Sequence, residues 1–248
     1  LTDPTDPTDP TTLRPPVPTL PGGHGLLEGK VVVITAAAGT GIGFATAQRC
    51  VEEGATVVVS DAHERRLGEA AAALAALPEL KGEPPLAVPC DVTDEAQVQR
   101  LYDAAAERHG HFDVAVNNAG LGGKVDVVDM TDEQWSLVLD ITLTGTFRCT
   151  RAALRHFYDH GQGGVIVNNA SVLGWRAQAG QAHYAAAKAG VMALNRVMPD
   201  DELAELSRRE AFGRGAEVGE VATVIAFLAS DYASYMTGEV VSVSSQHP

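Results

Sequence analysis

Cysteine is scarce in this 248-residue chain. Its three thiols, Cys50, Cys90 and Cys149, are odd in number and far apart. They form neither a disulfide framework nor a metal-ligand spacing, so buried thiols in a reducing compartment are expected, and no metal. Long hydrophobic runs are missing as well, which excludes a membrane-spanning helix. The sequence does not open on a charged-then-apolar stretch of the signal-peptide kind. Positive charge is short: 18 Lys and Arg stand against 32 Asp and Glu, a formal charge of −14. A broad surface for nucleic acid or anionic membrane is therefore excluded, although a local basic pocket is not. A cytoplasmic protein is expected.

Proline, by contrast, is crowded at one end. Thr-Asp-Pro occurs three times from Thr2 to Pro10, and seven of the 13 prolines precede Gly22. Such a stretch joins neither helix nor ladder and buries little, so residues 1–25 are expected to form a disordered, polyproline-like tail. A proline-rich partner motif is the alternative. The chain begins with Leu1 rather than Met, which suggests that the gene product is longer.

Beyond the tail, residues 26–248 read as one domain. Short β-branched runs at Val31–Thr35, Ala55–Ser60, Leu86–Cys90, Asp113–Asn117 and Gly164–Asn169 predict buried parallel strands. Helical patterns alternate with them at Ile42–Glu53, Glu64–Leu77, Glu95–His109 and Asp132–His160. Further helices are predicted at Gln181–Val197 and Val218–Ala229, and a last strand at Glu239–Val243. This alternation implies α/β architecture, a Rossmann-type doubly wound parallel sheet with helices on both faces.

The first strand runs into Thr35-Ala-Ala-Ala-Gly39-Thr40-Gly41-Ile42-Gly43, which opens a helix. Glycines let the backbone approach a pyrophosphate, and the helix N-terminus offers it free N–H groups. Asp61 ends the second strand, where a carboxylate can bond ribose hydroxyls and repel a 2′-phosphate, favouring NAD over NADP. A helix N-cap is the other reading of Asp61. His63, Arg65 and Arg66 nearby could hold a 2′-phosphate or form a solvated face.

With these blocks stand Asp91-Val92 after the third strand, Asn117-Asn118-Ala119-Gly120 after the fourth, and Ser171 with Tyr184-Ala-Ala-Ala-Lys188. From Gly29 onward the chain thereby resembles a compact short-chain dehydrogenase/reductase. The stretch Gly180–Gly190 is most similar to the 3-oxoacyl and acetoacetyl-CoA reductase branch. The whole, including Val165–Arg176 and the terminal Ser242–Pro248, resembles actinobacterial enzymes that act on CoA thioesters in steroid-ring degradation. The resemblance implies that Asp91 and Val92 flank the adenine, that Asn118, Ala119 and Gly120 line the cofactor, and that the protein is a homotetramer. Asp91 could instead cap a helix, and Asn117 is read as a buried amide that steadies the sheet.

Tyr184 and Lys188 lie four apart on one helix face. A free phenol has a pKa of about 10; a neighbouring ammonium, helped by the cationic nicotinamide of the oxidised cofactor, is expected to lower it, so that Tyr184 exchanges a proton with a substrate oxygen. Ser171 would hold that oxygen. Within the resemblance Lys188 also contacts the nicotinamide ribose. Trp175 and Arg176 are the candidate substrate wall and charge, Asp200–Glu210 a lid helix, and His183 a flanking wall residue.

Three departures from the family pattern stand out. The glycine turn has one residue more than the family's usual pattern, so Ala36 occupies the first glycine's place and Gly39 is expected to take over. The family's catalytic Asn is here Thr142, so activity with an altered proton relay is expected. The sixth strand and its loop are missing. Without the tail 223 residues remain, against about 250 for a full α/β unit of this kind, which predicts an absent segment near residues 195–200. The expected reaction is hydride transfer between NAD(H) and a secondary alcohol or ketone on a hydroxyacyl-CoA or steroid-ring-derived CoA thioester. The alternatives are an NADPH-dependent 3-oxoacyl reductase and a non-enzymatic dinucleotide-sensing regulator.

Overall fold

The computed structural model describes residues 22–161, 163–195, 208–210, 216–234, 236, 239–243 and 246–247. Five strands form one parallel sheet: β1 (Val31–Ile34), β2 (Thr56–Asp61), β3 (Leu86–Pro89), β4 (Val114–Asn117) and β5 (Val165–Asn168). Their order is β3-β2-β1-β4-β5, and every neighbouring pair is parallel. Because side chains alternate along a strand, each strand feeds two cores. Val32, Ile34, Val57, Val59, Val114 and Val116 meet α1 (Ile42–Glu52), α2 (Glu64–Ala75) and α7 (Val218–Ala229). Val31, Val33, Val58 and Ala115 meet α3 (Glu95–His109) and α5 (Gly145–His160) on the opposite face. The doubly wound sheet is as expected.

All three cysteines are free and buried. Burial pushes the thiols of Cys50 and Cys149 up to about 12 and that of Cys90 to about 11. They are inert, as their scarcity and spacing suggested.

Local chemistry sets the element ends. Asp94 caps α3 by accepting from the N–H groups of Ala96 and Gln97 at 2.8 and 3.2 Å. Thr131 and Gln134 form a reciprocal capping box at the start of α4 (Asp132–Leu139). The tail expected over residues 1–25 falls outside the described residues as far as residue 21. At its inner end the N–H groups of His24 and Leu26 both donate to the buried carboxylate of Glu53, at 2.8 and 3.1 Å. Burial alone would raise that carboxyl, but these two bonds and the Arg49 guanidinium hold it below its ordinary range.

Several expectations need correction. The helical segments expected across Asp132–His160 are α4, a π-helical turn at Asp140–Thr144, and α5, and only the π-helical turn goes beyond the expectation. Apolar periodicity cannot report one extra residue in a turn. Asp61 is not a helix cap. The cap of α2 is His63, and the Asp61 carboxylate closes a two-residue turn by accepting from His63 N–H at 2.9 Å. Asp91 is not a cap either, since Asp94 has that role; its carboxylate instead takes the N–H and hydroxyl of Thr93 at 2.9 and 2.8 Å.

The last strand expected at Glu239–Val243 does not form, and this stretch is irregular. It stands off β5 across a groove of about 340 Å³, lined by Val165, Val167 and Asn168 on one side and Glu239–Val241 on the other. Strands share a ladder only at a spacing of about 4.8 Å. Among the described residues no strand lies between them, so Glu239–Val243 has no ladder partner there. Of the lid helix expected at Asp200–Glu210, residues 200–207 lie outside the described residues. Arg208–Glu210 is a short strand, β6, antiparallel to β7 (Gln246–His247).

Candidate active site

The strand order reverses between β1 and β4, so the carboxyl ends of these two strands open a crevice, the usual ligand position in such sheets. The glycine turn lies there. Gly39 takes a φ of +87° and Ala36 a φ of +51°. Two left-handed residues thus accommodate the extra residue of the turn, one of them without glycine's freedom. A left-handed alanine costs about 1 kcal/mol, so Ala36→Gly is expected to raise the urea midpoint slightly and leave cofactor affinity intact. A lower midpoint would show that the Ala36 methyl packs better than its backbone strains.

At the start of α1 no side chain caps the free N–H groups. A Cβ on Gly41 would meet nothing within 4 Å, whereas one on Gly43 would stand 2.1 Å from the Ala36 carbonyl oxygen. Gly41 therefore faces open space, with Thr40 and Ile42 beside it, and Gly43 permits the turn to close on the helix. An uncapped helix N-terminus beside an open, side-chain-free crevice fits a pyrophosphate. Asp61 fits a ribose at the neighbouring strand end, with an Arg66 nitrogen 3.9 Å from its carboxylate.

The fourth strand's loop is bolted to this turn. Thr35 Oγ1 accepts from the N–H groups of Asn118 and Ala119 at 3.0 and 3.1 Å. Asn118 Nδ2 donates to the carbonyls of Thr35 and Ala36 at 3.2 and 3.1 Å, and its Oδ1 accepts from Asn169 Nδ2 at 2.9 Å. Asn117 is the buried amide expected, bonded to Tyr102, Thr150 and Asn168. Val92 is buried, and its methyls lie under Gly145, where a Cβ would approach to 2.6 Å.

The catalytic candidates converge on α6 (Ala182–Asn195). Tyr184 and Ser171 share a side-chain hydrogen bond, and Ser171 Oγ also accepts from Leu173 N–H at 3.2 Å. Lys188 is 2% exposed, and its Nζ donates to the Asn169 carbonyl at 2.5 Å while lying 5.7 Å from the centre of the Tyr184 ring. Burial drops the Lys188 ammonium to about 8. Burial also raises the Tyr184 phenol above its ordinary value, and only the Ser171 bond works against this. The spacing of the two residues suggested that the ammonium lowers the phenol; instead Lys188 is turned to a carbonyl, and desolvation dominates.

Thr142 is fully buried in the π-helical turn. Its hydroxyl accepts from Leu121 N–H at 3.0 Å and donates to the Leu121 carbonyl at 3.2 Å, while its own carbonyl accepts from Thr146 Oγ1. It thereby holds the glycine-rich loop Gly120–Gly123 over α6. A Cβ on Gly120 would lie 3.4 Å from Lys188 Nζ, one on Gly122 3.9 Å from the Tyr184 ring, and one on Gly123 3.2 Å from His183 Nε2. Trp175 and Arg176 are both exposed, just beyond the short helix that follows Ser171. Sequence reasoning missed Thr35, Asn169, Gly122 and Gly123. The Gly-Leu-Gly-Gly run was a visible signal for the last two, whereas Asn169 acts through its backbone carbonyl and left none.

A dinucleotide crevice beside a half-buried Ser–Tyr pair and a buried lysine defines an NAD(P)-dependent oxidoreductase. Residues 30–206 match the family model described as short chain dehydrogenase, and residues 197–245 one described as enoyl-(acyl carrier protein) reductase. The chain belongs to the short-chain dehydrogenase/reductase family. It is 59% identical over 254 residues to the (5R,7aS)-5-hydroxy-7a-methyl-1-oxo-2,3,5,6,7,7a-hexahydro-1H-indene-carboxyl-CoA reductase of Mycobacterium tuberculosis, covering 91% of this chain and 96% of that protein. It is 35% identical to the 3-oxoacyl-[acyl-carrier-protein] reductase of Thermotoga maritima, covering 88% and 97%. Among solved structures, a short chain dehydrogenase from Mycobacterium smegmatis superposes with a TM-score of 0.84 at 57% identity, covering 94% of this chain and 99% of that one.

Proposed function

We propose that this oxidoreductase interconverts a ring alcohol and its ketone on a CoA thioester, with NAD(H) as its dinucleotide. The observation that carries the chemistry is the half-buried Tyr184–Ser171 pair, with Tyr184 against the glycine loop beside Lys188. A nicotinamide bound in the crevice supplies or accepts the hydride. In reduction Tyr184 gives its proton to the carbonyl oxygen, and in oxidation it takes the alcohol proton. Ser171 holds the same oxygen and steadies its charge. Lys188, anchored on Asn169, would hold a ribose hydroxyl of the bound dinucleotide and pass the proton onward. The raised phenol makes the resting site a proton donor, which suits reduction.

The substrate class rests on the 59% identity to a reductase of an indene-carboxyl-CoA thioester. A 3-oxoacyl thioester is the second reading, supported by the Thermotoga relative. A panel of hydroxyacyl-CoA, oxoacyl-CoA and cyclic ketone substrates, assayed with both nicotinamides, tests the proposal. Turnover of straight-chain 3-oxoacyl thioesters in preference to ring ketones would favour the second reading. Absence of turnover across the panel would remove the first and the second alike.

The choice of NAD rests on Asp61, whose carboxylate would meet a 2′-phosphate as like charge. Asp61→Ala is expected to narrow the ratio of kcat/KM for NAD⁺ over NADP⁺ by about tenfold, the factor carried by 1.4 kcal/mol. A wild-type preference for NADP⁺ would overturn the assignment.

Among the described residues no helix is long and apolar enough to cross a membrane, and a cytoplasmic location agrees with the free, inert thiols. Assembly as a homotetramer is supported by Phe147, Leu154 and Tyr158, which stand exposed at i, i+7 and i+11 of α5. An absent segment near residues 195–200 is part of this reading, and the mycobacterial alignment is longer than the part of this chain that it covers. It runs over 254 positions, whereas 91% of 248 residues is only about 226. An intact mass well above 25.9 kDa is expected, and a mass at that value would overturn the idea.

A further inference from the structure

Asn169 is the first residue beyond β5, and the reaction just described uses only its carbonyl. That carbonyl is open to Lys188 because the ladder between β4 and β5 is cut short. Asn169 N–H still donates to the Asn117 carbonyl at 3.0 Å, as the register of the two strands requires. A parallel ladder would next carry the Asn169 carbonyl to Ala119 N–H. Thr35 Oγ1 takes that donor instead, at 3.1 Å. A carbonyl deprived of its ladder partner needs another donor, and Lys188 Nζ meets it.

The Asn169 side chain reaches back to the same turn. Asn118 Nδ2 donates to two backbone carbonyls, those of Thr35 at 3.2 Å and Ala36 at 3.1 Å. With its amino group so held, the amide cannot flip, and its Oδ1 pairs only with a donor. Asn169 Nδ2 is that donor, at 2.9 Å. Gly43 leaves room for the arrangement, since a Cβ there would stand 2.6 Å from Asn118 Nδ2. Two routes therefore run from Thr35 and Ala36 towards the Lys188 ammonium, one through Ala119 N–H and one through the paired amides. Both end on Asn169.

We propose that Asn169 is a positioning residue: its side chain, through Asn118, fixes the seat of Lys188 to the turn that receives the dinucleotide. The inference rests on the dinucleotide-oxidoreductase reading above. It adds that the ammonium stands where a nicotinamide ribose arrives only while the amide pair is intact. Without its Nδ2 bond, Asn169 keeps its N–H as the one anchor on β4, and its carbonyl turns away from Nζ as the chain leaves the strand.

The test uses the whole enzyme without substrate and two probes, NADH and ADP, titrated by calorimetry, with NADPH replacing NADH where it binds more tightly. ADP reaches the turn but carries no nicotinamide ribose, so it reports the turn alone. NADH reports the turn and Lys188 together. Asn169→Leu keeps a similar volume and removes the donor. In this variant NADH is expected to lose about fivefold more affinity than ADP, the worth of one neutral hydrogen bond. In a Lys188→Met background the same change should leave the NADH-to-ADP ratio where Lys188→Met alone puts it, because residues that act through one another are not additive. Asn169→Ser, a gentler change that serves if Asn169→Leu does not fold, should move the ratio the same way by less. Equal losses for both probes, or the same added change in both backgrounds, would show that Asn169 only braces the turn and would overturn the proposal. Unchanged affinities for both probes would do the same. A wild type that binds neither NADH nor NADPH removes the dinucleotide reading and this inference with it. One that binds a nicotinamide but turns over no ketone overturns the proposed function alone, and this inference stands on the two probes.

Discussion

Tyr184→Phe is expected to lower turnover about 10²–10⁴-fold, the usual worth of a positioned proton donor. The substitution removes one hydroxyl and keeps the ring against the loop at Gly122. Packing and cofactor affinity should therefore survive, and the loss should appear in kcat. Dinucleotide binding followed by fluorescence separates the two effects. Unchanged turnover in the variant would sink the assignment of Tyr184 as the acid. Ser171→Ala should cost less, because it removes only one of the groups holding the substrate oxygen.

The second large effect has two opposite signs. Lys188→Met is expected to abolish most turnover while raising stability. The Lys188 ammonium is buried, and the fold depresses it from 10.5 to about 8. Between those values the unfolded chain binds more protons than the folded one, so wild-type stability rises with pH across that window. Below about pH 8 the buried charge costs on the order of 3 kcal/mol, because each tenfold loss of proton affinity is worth about 1.4 kcal/mol. A thioether of similar length escapes that cost. The variant should melt several degrees higher at pH 7, at about 2–4 °C per kcal/mol for a chain of this size. The gap should close as pH approaches 10.5. A lower melting temperature would mean that the Asn169 bond outweighs the desolvation. In the wild type, ketone reduction should decline above about pH 8, where the ammonium can no longer replenish the Tyr184 proton.

Stability is thus surrendered where function needs it. A charged lysine inside a protein is expensive, and here it sits on a backbone carbonyl between a tyrosine and a glycine loop. Sequence alone identified Lys188 by its spacing from Tyr184, but the spacing says nothing of where Nζ points. Lys188 by itself does not lower the phenol for that reason: the direction of a pKa shift depends on distance and burial, which are tertiary quantities.

Other elements divide in the same way. Strands β1 to β5 were legible because fully buried parallel strands are short β-branched runs bounded by turn residues. Helix α3 was legible to the residue, since Asp94 and the polar start of the helix mark its beginning. The break in α4–α5 was not, because the π-helical turn leaves the apolar pattern nearly intact. Nor was the fate of Glu239–Val243, whose β-branched valines pair only if a neighbour exists. Thr142 looked like a loss of the family's amide. In three dimensions its hydroxyl clamps both polar groups of Leu121 and sets the height of the loop over the catalytic helix.

The shortage of cysteine and basic residues, the alternation of strand and helix, and the order of the glycine turn, Asn-Asn-Ala-Gly, Ser171 and Tyr184–Lys188 were enough to determine family and reaction type. Each depends on residue type and local spacing, which a linear sequence carries in full. The tertiary structure decided which atoms meet. It joined Asn169 to Lys188, Thr142 to Leu121 and Thr35 to the fourth strand's loop, and it packed the His183 ring against Gly123 of the glycine loop. These contacts link residues distant along the chain, or turn on the direction in which one side chain points, and only the packing of the sheet and its helices fixes either.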